Sequence, residues 1–141
     1  MAAAERDAWA EIRELVGDLT PSQRATPGYF VEGWTVKDVL AHLASWLAEA
    51  GLVLEQLAAG TFDGRDLEVD TRNRGFLDAN RDQPFDLVEV QAEASRHRLL
   101  QELHRLEEVG PVAEEWILKA GPDHYAEHLP RLREWAAELR A

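Results

Sequence analysis

The chain contains no cysteine and only two lysines, Lys37 and Lys119, among its 141 residues. Without cysteine there is no disulfide, no thiolate metal ligand and no cysteine nucleophile, and nothing marks an oxidising compartment. The scarcity of lysine goes with an acidic balance: 15 Lys+Arg stand against 27 Asp+Glu, a formal net charge of −12. Phosphate backbones are bound by clustered Lys and Arg that displace counterions, so this composition argues against nucleic acid and against anionic membrane surfaces as partners. Long apolar runs are missing too. The most apolar stretch, residues 39–59, is interrupted by His42, Glu49 and Glu55, well short of the ~18 uninterrupted apolar residues of a membrane span. The N-terminal MAAAERDAWA carries Glu5, Arg6 and Asp7 and does not read as a signal peptide, so the expected location is the cytoplasm. Period-two alternation is almost absent, which leaves no strand pattern.

Helical periodicity fills the gap. A first segment, about residues 4–19, places Ala8, Ile12, Leu15, Val16 and Leu19 on one stripe, weakened in its last turn by Gly17. A second opens with Thr35 followed three residues later by Asp38, a capping box with Asp in place of Glu. It carries Val36, Val39, Leu40, Leu43, Leu47, Ala50, Leu54 and Leu57, and Gly60 ends it. A third starts after Pro84 with Phe85, Val88, Ala92, Leu99, Leu103 and Leu106 on one face and stops at Gly110-Pro111. A fourth starts near Gly121-Pro122 and runs through Tyr125, Leu129, Leu132, Ala136 and Leu139.

Three connections join these segments. Residues 20–34 hold Pro21, Pro27, Gly28 and Gly33, and Thr20 to Gln23 suits a capped helical turn. Residues 60–84 are long for a helix connection, and Val69, Asn73, Phe76, Leu77 and Asn80 predict a short extra helix with its polar members facing inward or sideways. Residues 113–119, with Trp116 and Ile117, read either as a single turn or as an early start to the fourth helix. The expectation is an all-α single domain over residues 1–141: a four-helix bundle with a long crossover between its second and third helices that contains the short extra helix.

Histidine is the informative residue type. His124 and His128 stand at i and i+4, one turn apart on the same helix face, close enough to hold one ion. His42 lies in the apolar run Val39-Leu40-Ala41-His42-Leu43-Ala44. Alone it reads first as a core histidine bonded to a neighbour; beside the pair it becomes a third metal ligand. Three imidazoles from two helices suit Zn²⁺, Ni²⁺, Co²⁺ or Fe²⁺, with Zn²⁺ and Ni²⁺ foremost, and leave a position open for water or substrate. Asp123 and Glu127 either orient a ligand histidine or simply face solvent. His97 and His104 share a face among Arg96, Arg98, Glu102 and Arg105 and read as surface residues.

Trp46 follows His42 by four residues and Trp135 follows His128 by seven, so each ring either walls a pocket over the histidines or fills the core. Tyr125 faces the core stripe; its phenol is either packing or a candidate catalytic proton donor. Pro130 removes a backbone hydrogen bond within the fourth helix and predicts either a kink beside the histidine pair or a late helix start.

The run Gly33-Trp34-Thr35-Val36-Lys37-Asp38-Val39-Leu40-Ala41-His42-Leu43, followed by Trp46, resembles the second-helix motif of the DinB-like metalloenzyme superfamily, and His124-Tyr125-Ala126-Glu127-His128 resembles its fourth-helix motif. The resemblance covers essentially the whole chain. It implies a four-helix bundle with His42, His124 and His128 as a metal-binding triad, and a small-molecule substrate. The superfamily includes mycothiol- and bacillithiol-dependent transferases and isomerases, in which the metal activates a low-molecular-weight thiol such as mycothiol. The Val69-Asp70 … Asn73 stretch and the Leu129-Pro130 continuation look most like the ClbS/DfsB subgroup, which implies a pocket including Asn73 and metal-free chemistry on a reactive natural product. The sequence therefore fits a metal-dependent transferase, isomerase or hydrolase acting on a small electrophile, a metal-free resistance or sequestration protein, or a helical interaction module, in each case with a homodimer open.

Overall fold

A computed structural model describes residues 2–141. They form α1 (Ala2–Gly17), α2 (Pro21–Arg24), α3 (Val36–Ala59), α4 (Val69–Asn80), α5 (Phe85–Arg105), α6 (Pro111–Ala120) and α7 (Pro122–Arg140), with no strand among the described residues. The four long helices α1, α3, α5 and α7 are the expected bundle, and α4 is the extra helix of the crossover. Pairing follows the apolar stripes: α3 packs mainly on α5, α1 on α7, and α4 and α6 lie against α3. None of these helices is long and apolar enough to cross a membrane.

The local signals explain the helix ends. Thr35 is the N-cap of α3: its hydroxyl accepts from the Asp38 backbone N–H, and the Asp38 carboxylate accepts from the Thr35 N–H. At the other end Gly60 takes a left-handed conformation, φ +72, and its N–H closes the last turn. Within α3, Val36, Val39, Leu40, Leu43, Leu47, Ala50 and Leu54 are all buried. Ile12 and Val16 of α1, Val88, Ala92 and Leu99 of α5, and Leu129, Leu132 and Ala136 of α7 complete one continuous core.

One connection differs from the sequence reading. Residues 113–119 are neither a single turn nor the start of the fourth helix but belong to α6, a helix of ten residues. Gly121 separates α6 from α7 with φ −109 and ψ −107, and Pro122 lacks the N–H that would continue α6. α7 starts directly at Pro122 and runs through Pro130, so the late start is excluded. Short α2 uses a second capping box, Thr20 with Gln23, and the Gln23 side chain donates to the Leu139 carbonyl, 3.1 Å, fastening α2 to the end of α7.

Candidate metal centre

The bundle brings His42 of α3 to His124 and His128 of α7. Their relative exposures are 8%, 7% and 5%, and one ring nitrogen from each lies within 4.8 Å of the others. His42 Nε2 and His124 Nε2 face each other at 2.8 Å. Ring centroids are 4.6 Å apart for His42 and His124, 4.8 Å for His124 and His128, and 5.2 Å for His42 and His128. His97 and His104 are exposed on α5, as their charged surroundings indicated.

Burial decides the charge of the three rings. It pushes the imidazolium forms down, His42 to about 3 and His124 to about 2, with the neighbouring histidines adding repulsion; His128 is lowered for the same first reason, against the opposing carboxylate of Glu127. At neutral pH all three are uncharged, which is the state in which imidazole offers a lone pair to a metal. His42 Nδ1 and His124 Nδ1 have no hydrogen-bond partner. Three neutral nitrogen donors converging from two rigid helices fit a borderline-soft divalent ion, and no carboxylate or thiolate is needed to complete the set.

Aromatic rings enclose the triad. Trp46, four residues after His42, sits 6.5 Å from the His124 ring and donates from Nε1 to Asn73 Oδ1, 2.7 Å, so the extra helix is tied to the site by one of its polar members. Asn80 plays a similar part farther along α4, donating to Ser45 Oγ, 2.9 Å. On the other side Trp34 lies 5.3 Å from the His42 ring and Phe30 lies 6.0 Å from the His128 ring.

Two cavities open on this centre. A groove of about 480 Å³ is lined by Phe30, Trp34, Arg74 and Arg81 and reaches His42 and His128. A smaller chamber of about 100 Å³ reaches His42 and His124 and is lined by Trp46, Leu67 and Lys119. Asn73 and Glu127 border both. Glu127, exposed on α7, thus stands at the mouth of the site, whereas Asp123 is exposed and lines neither cavity. A third cavity, about 440 Å³ between Arg24, Lys37 and Phe85, lies apart from the histidines.

Two residues singled out from the sequence lie elsewhere. Trp135 is buried against Gly28 and under the Arg131 guanidinium, 5.2 Å away, and lines neither cavity over the histidines. Its spacing of seven residues keeps it on the face of His128 but carries it about 10.5 Å along the helix axis. Tyr125, one residue from His124 and therefore about a quarter turn away, points to α1: its hydroxyl donates to Glu5 Oε2, 3.1 Å, and its ring packs on Trp9 at 5.4 Å. Glu5 in turn receives both Nε and Nη2 of Arg96, 2.8 and 2.6 Å. Tyr125 is therefore part of a buried polar network joining α1, α5 and α7, and its phenol, pushed up by burial and by Glu5, is held protonated.

A different tyrosine reaches the histidines. Tyr29, in the loop between α2 and α3, places its Oη 3.0 Å from His128 Nδ1. Burial, opposed by Arg131, raises its pKa to about 12. Nothing periodic marks this loop, and its only sequence signal is the aromatic cluster Tyr29, Phe30 and Trp34 between Gly28 and Gly33.

The family model of the mycothiol maleylpyruvate isomerase N-terminal domain matches residues 6–141. Among curated proteins, none matches the chain in sequence. In structure the chain is similar to an uncharacterised protein from Escherichia coli UTI89, whose crystal structure aligns with a TM-score of 0.80 at 14% sequence identity, covering 97% of this chain and 91% of that one. At that identity the likeness speaks to the fold alone, and neither match distinguishes the ClbS/DfsB subgroup. The domain match over nearly the whole chain, together with a helical bundle that gathers His42, His124 and His128, agrees with the second- and fourth-helix motifs. The chain belongs to the mycothiol maleylpyruvate isomerase N-terminal domain family, within the DinB-like superfamily.

Proposed function

We propose that this protein is a metal-dependent enzyme that activates a low-molecular-weight thiol, such as mycothiol, or a water molecule for attack on a small electrophilic substrate. The observation that carries the reading is the convergence of three buried, uncharged imidazoles within 4.8 Å, reached by an open groove at His42 and His128 and by a smaller chamber at His42 and His124. His42, His124 and His128 would hold the ion; a bound divalent metal lowers the pKa of a coordinated thiol or water, supplying at neutral pH a nucleophile that this cysteine-free chain lacks. The chain's own residues do the rest. Trp34, Phe30 and Trp46 keep bulk water from the imidazoles, and Asn73, its carbonyl oxygen held by the Trp46 N–H, presents its amide where the two cavities meet. Glu127 stands beside them as the carboxylate available to take up a proton at the mouth.

The test is metal content followed by turnover. Protein purified without chelator or affinity metal should carry close to one transition-metal ion per chain by elemental analysis, and should consume mycothiol in the presence of an epoxide or an activated alkene. A protein free of metal, unchanged in stability by Zn²⁺ or Ni²⁺, overturns the reading.

One observation favours a second reading. His42 Nε2 and His124 Nε2 at 2.8 Å fit a direct hydrogen bond between two neutral rings, the arrangement of a metal-free pocket. Such a pocket would bind or sequester a reactive natural product as in the ClbS/DfsB subgroup. Loss of ligand binding on replacing His124, with no dependence on added metal, selects it over the first.

A further inference from the structure

Tyr29 is 1% exposed, and its hydroxyl makes two contacts: 3.0 Å to His128 Nδ1 and 3.3 Å to the carbonyl oxygen of the same residue. A carbonyl oxygen only accepts, so the second contact uses the single hydroxyl proton of Tyr29. The first contact then has to be supplied from the imidazole, with Nδ1–H donating to Tyr29 Oη. A neutral imidazole carries one ring proton, so Nε2 of His128 keeps its lone pair. In the reverse arrangement the hydroxyl proton goes to Nδ1, the ring proton sits on Nε2, and the carbonyl contact has no donor.

We propose that Tyr29 is a positioning residue that holds His128 as its Nδ1–H tautomer and so keeps His128 Nε2 as a lone-pair donor beside His42 and His124. Its use in catalysis rests on the metal-centre reading above; the proton placement itself does not. Free histidine side chains favour the opposite tautomer, so the assignment has to be enforced, and the structure shows how. Arg131, three residues after His128 on α7, donates from Nε to the Tyr29 carbonyl, 2.7 Å, and from Nη2 to the Gly28 carbonyl, 3.1 Å. Its guanidinium also lies 5.6 Å from the Tyr29 ring. The Tyr29 N–H donates to the Trp34 carbonyl, 2.9 Å, which closes the loop on itself. The same turn of helix that carries the ligand thus grips the residue that orients it, an arrangement of the kind that tunes metal-bound histidines generally.

The experiment reads the tautomer directly. In metal-free protein with ¹⁵N-labelled histidine at pH 7.5, long-range ¹H–¹⁵N spectra should show His128 with a protonated Nδ1 and a bare Nε2, the resonances being assigned by their loss in His128→Gln. Tyr29→Phe should shift the ring toward Nε2–H, and Zn²⁺ or Ni²⁺ affinity should fall by about 10- to 100-fold. Arg131→Gln, which loosens the loop while keeping the hydroxyl, should move the tautomer part of the way. An Nε2–H ring in the wild type, which needs no variant to fold, overturns the proposal, as does a Tyr29→Phe protein with unchanged tautomer. A wild-type protein that shows the Nδ1–H ring yet binds no ion upholds the role of Tyr29 and removes the metal-centre reading instead.

Discussion

His42 Nε2 and His124 Nε2 confront each other at 2.8 Å across the interface of α3 and α7. Two neutral imidazoles at that distance either share one proton or turn their lone pairs on a common ion. Two bonds of 2.0–2.1 Å at a tetrahedral angle need about 3.3 Å between the nitrogens, so a few tenths of an ångström of side-chain adjustment separate the two states. Metal titration followed by calorimetry should therefore raise the melting temperature without a change in helix content. At a free metal concentration about 100-fold above Kd the gain is about 2.7 kcal/mol. His124→Asn should abolish it.

The uncharged state of the triad has a consequence for acid stability. Burial sets His42 at about 3 and His124 at about 2 in the folded chain, while the unfolded chain titrates near the ordinary value of 6.5. Above pH 6.5 neither state takes up these protons and the contribution is nil. Below it the unfolded chain binds protons that the native chain refuses, so stability falls as pH drops from about 6.5 toward 3. The slope is at most about 1.4 kcal/mol per pH unit for each histidine. Denaturant unfolding of chelator-treated protein between pH 7.5 and 5 measures it, and His42→Asn should flatten the dependence.

The Glu5–Arg96–Tyr125 network predicts a stability change uncoupled from metal. Glu5→Ala leaves the partly buried Arg96 without its bidentate carboxylate, and a loss of about 1–3 kcal/mol follows. Tyr125→Phe removes only one hydroxyl from that network and should cost about 1 kcal/mol. Metal affinity, read by competition with a chromophoric chelator, should be the same in Tyr125→Phe as in the wild type. A strong drop there would return Tyr125 to the site.

Asn73 is the tie between α4 and the core. Asn73→Ala leaves the Trp46 N–H without its acceptor, at a cost of about 1–3 kcal/mol. The loss should appear first as faster amide exchange over residues 69–80, with α3 still protected.

Gly28 offers a steric test of the loop. Its φ of +125 is one that side-chain-bearing residues rarely adopt, and a Cβ there would lie 2.9 Å from the Trp135 ring. Gly28→Ala should cost well over 1 kcal/mol and, by displacing Tyr29, weaken metal binding as well.

The parts legible in the sequence were those written in local chemistry. Thr35 and Asp38 name the start of α3, Gly60 its end, and the i, i+4 spacing of His124 and His128 places both on one face whatever the rest of the chain does. Trp46 and Asn73 meet beside the histidines because each lies on a helix whose phase is fixed by neighbours, although the sequence left Trp46 open between walling a pocket and filling the core. Tyr29 was not legible, since it sits in a loop without period and meets His128 across 99 positions. Trp135 shows the opposite limit: an angular argument finds the right face but is silent about distance along the axis. The separate existence of α6 turned on the backbone of a single residue, Gly121, which no apolar stripe reports.

The contacts that shape this centre join residues remote in sequence: 82 positions from His42 to His124, 99 from Tyr29 to His128, and 102 from Tyr29 to Arg131. Closing loops of that length is among the late and costly events of folding. No fragment holding only α3 or only α7 contains more than part of the ligand set. Occupancy of the triad thus doubles as a gauge of whether the whole bundle has formed, and ion release during unfolding should track global loss of structure in place of local fraying.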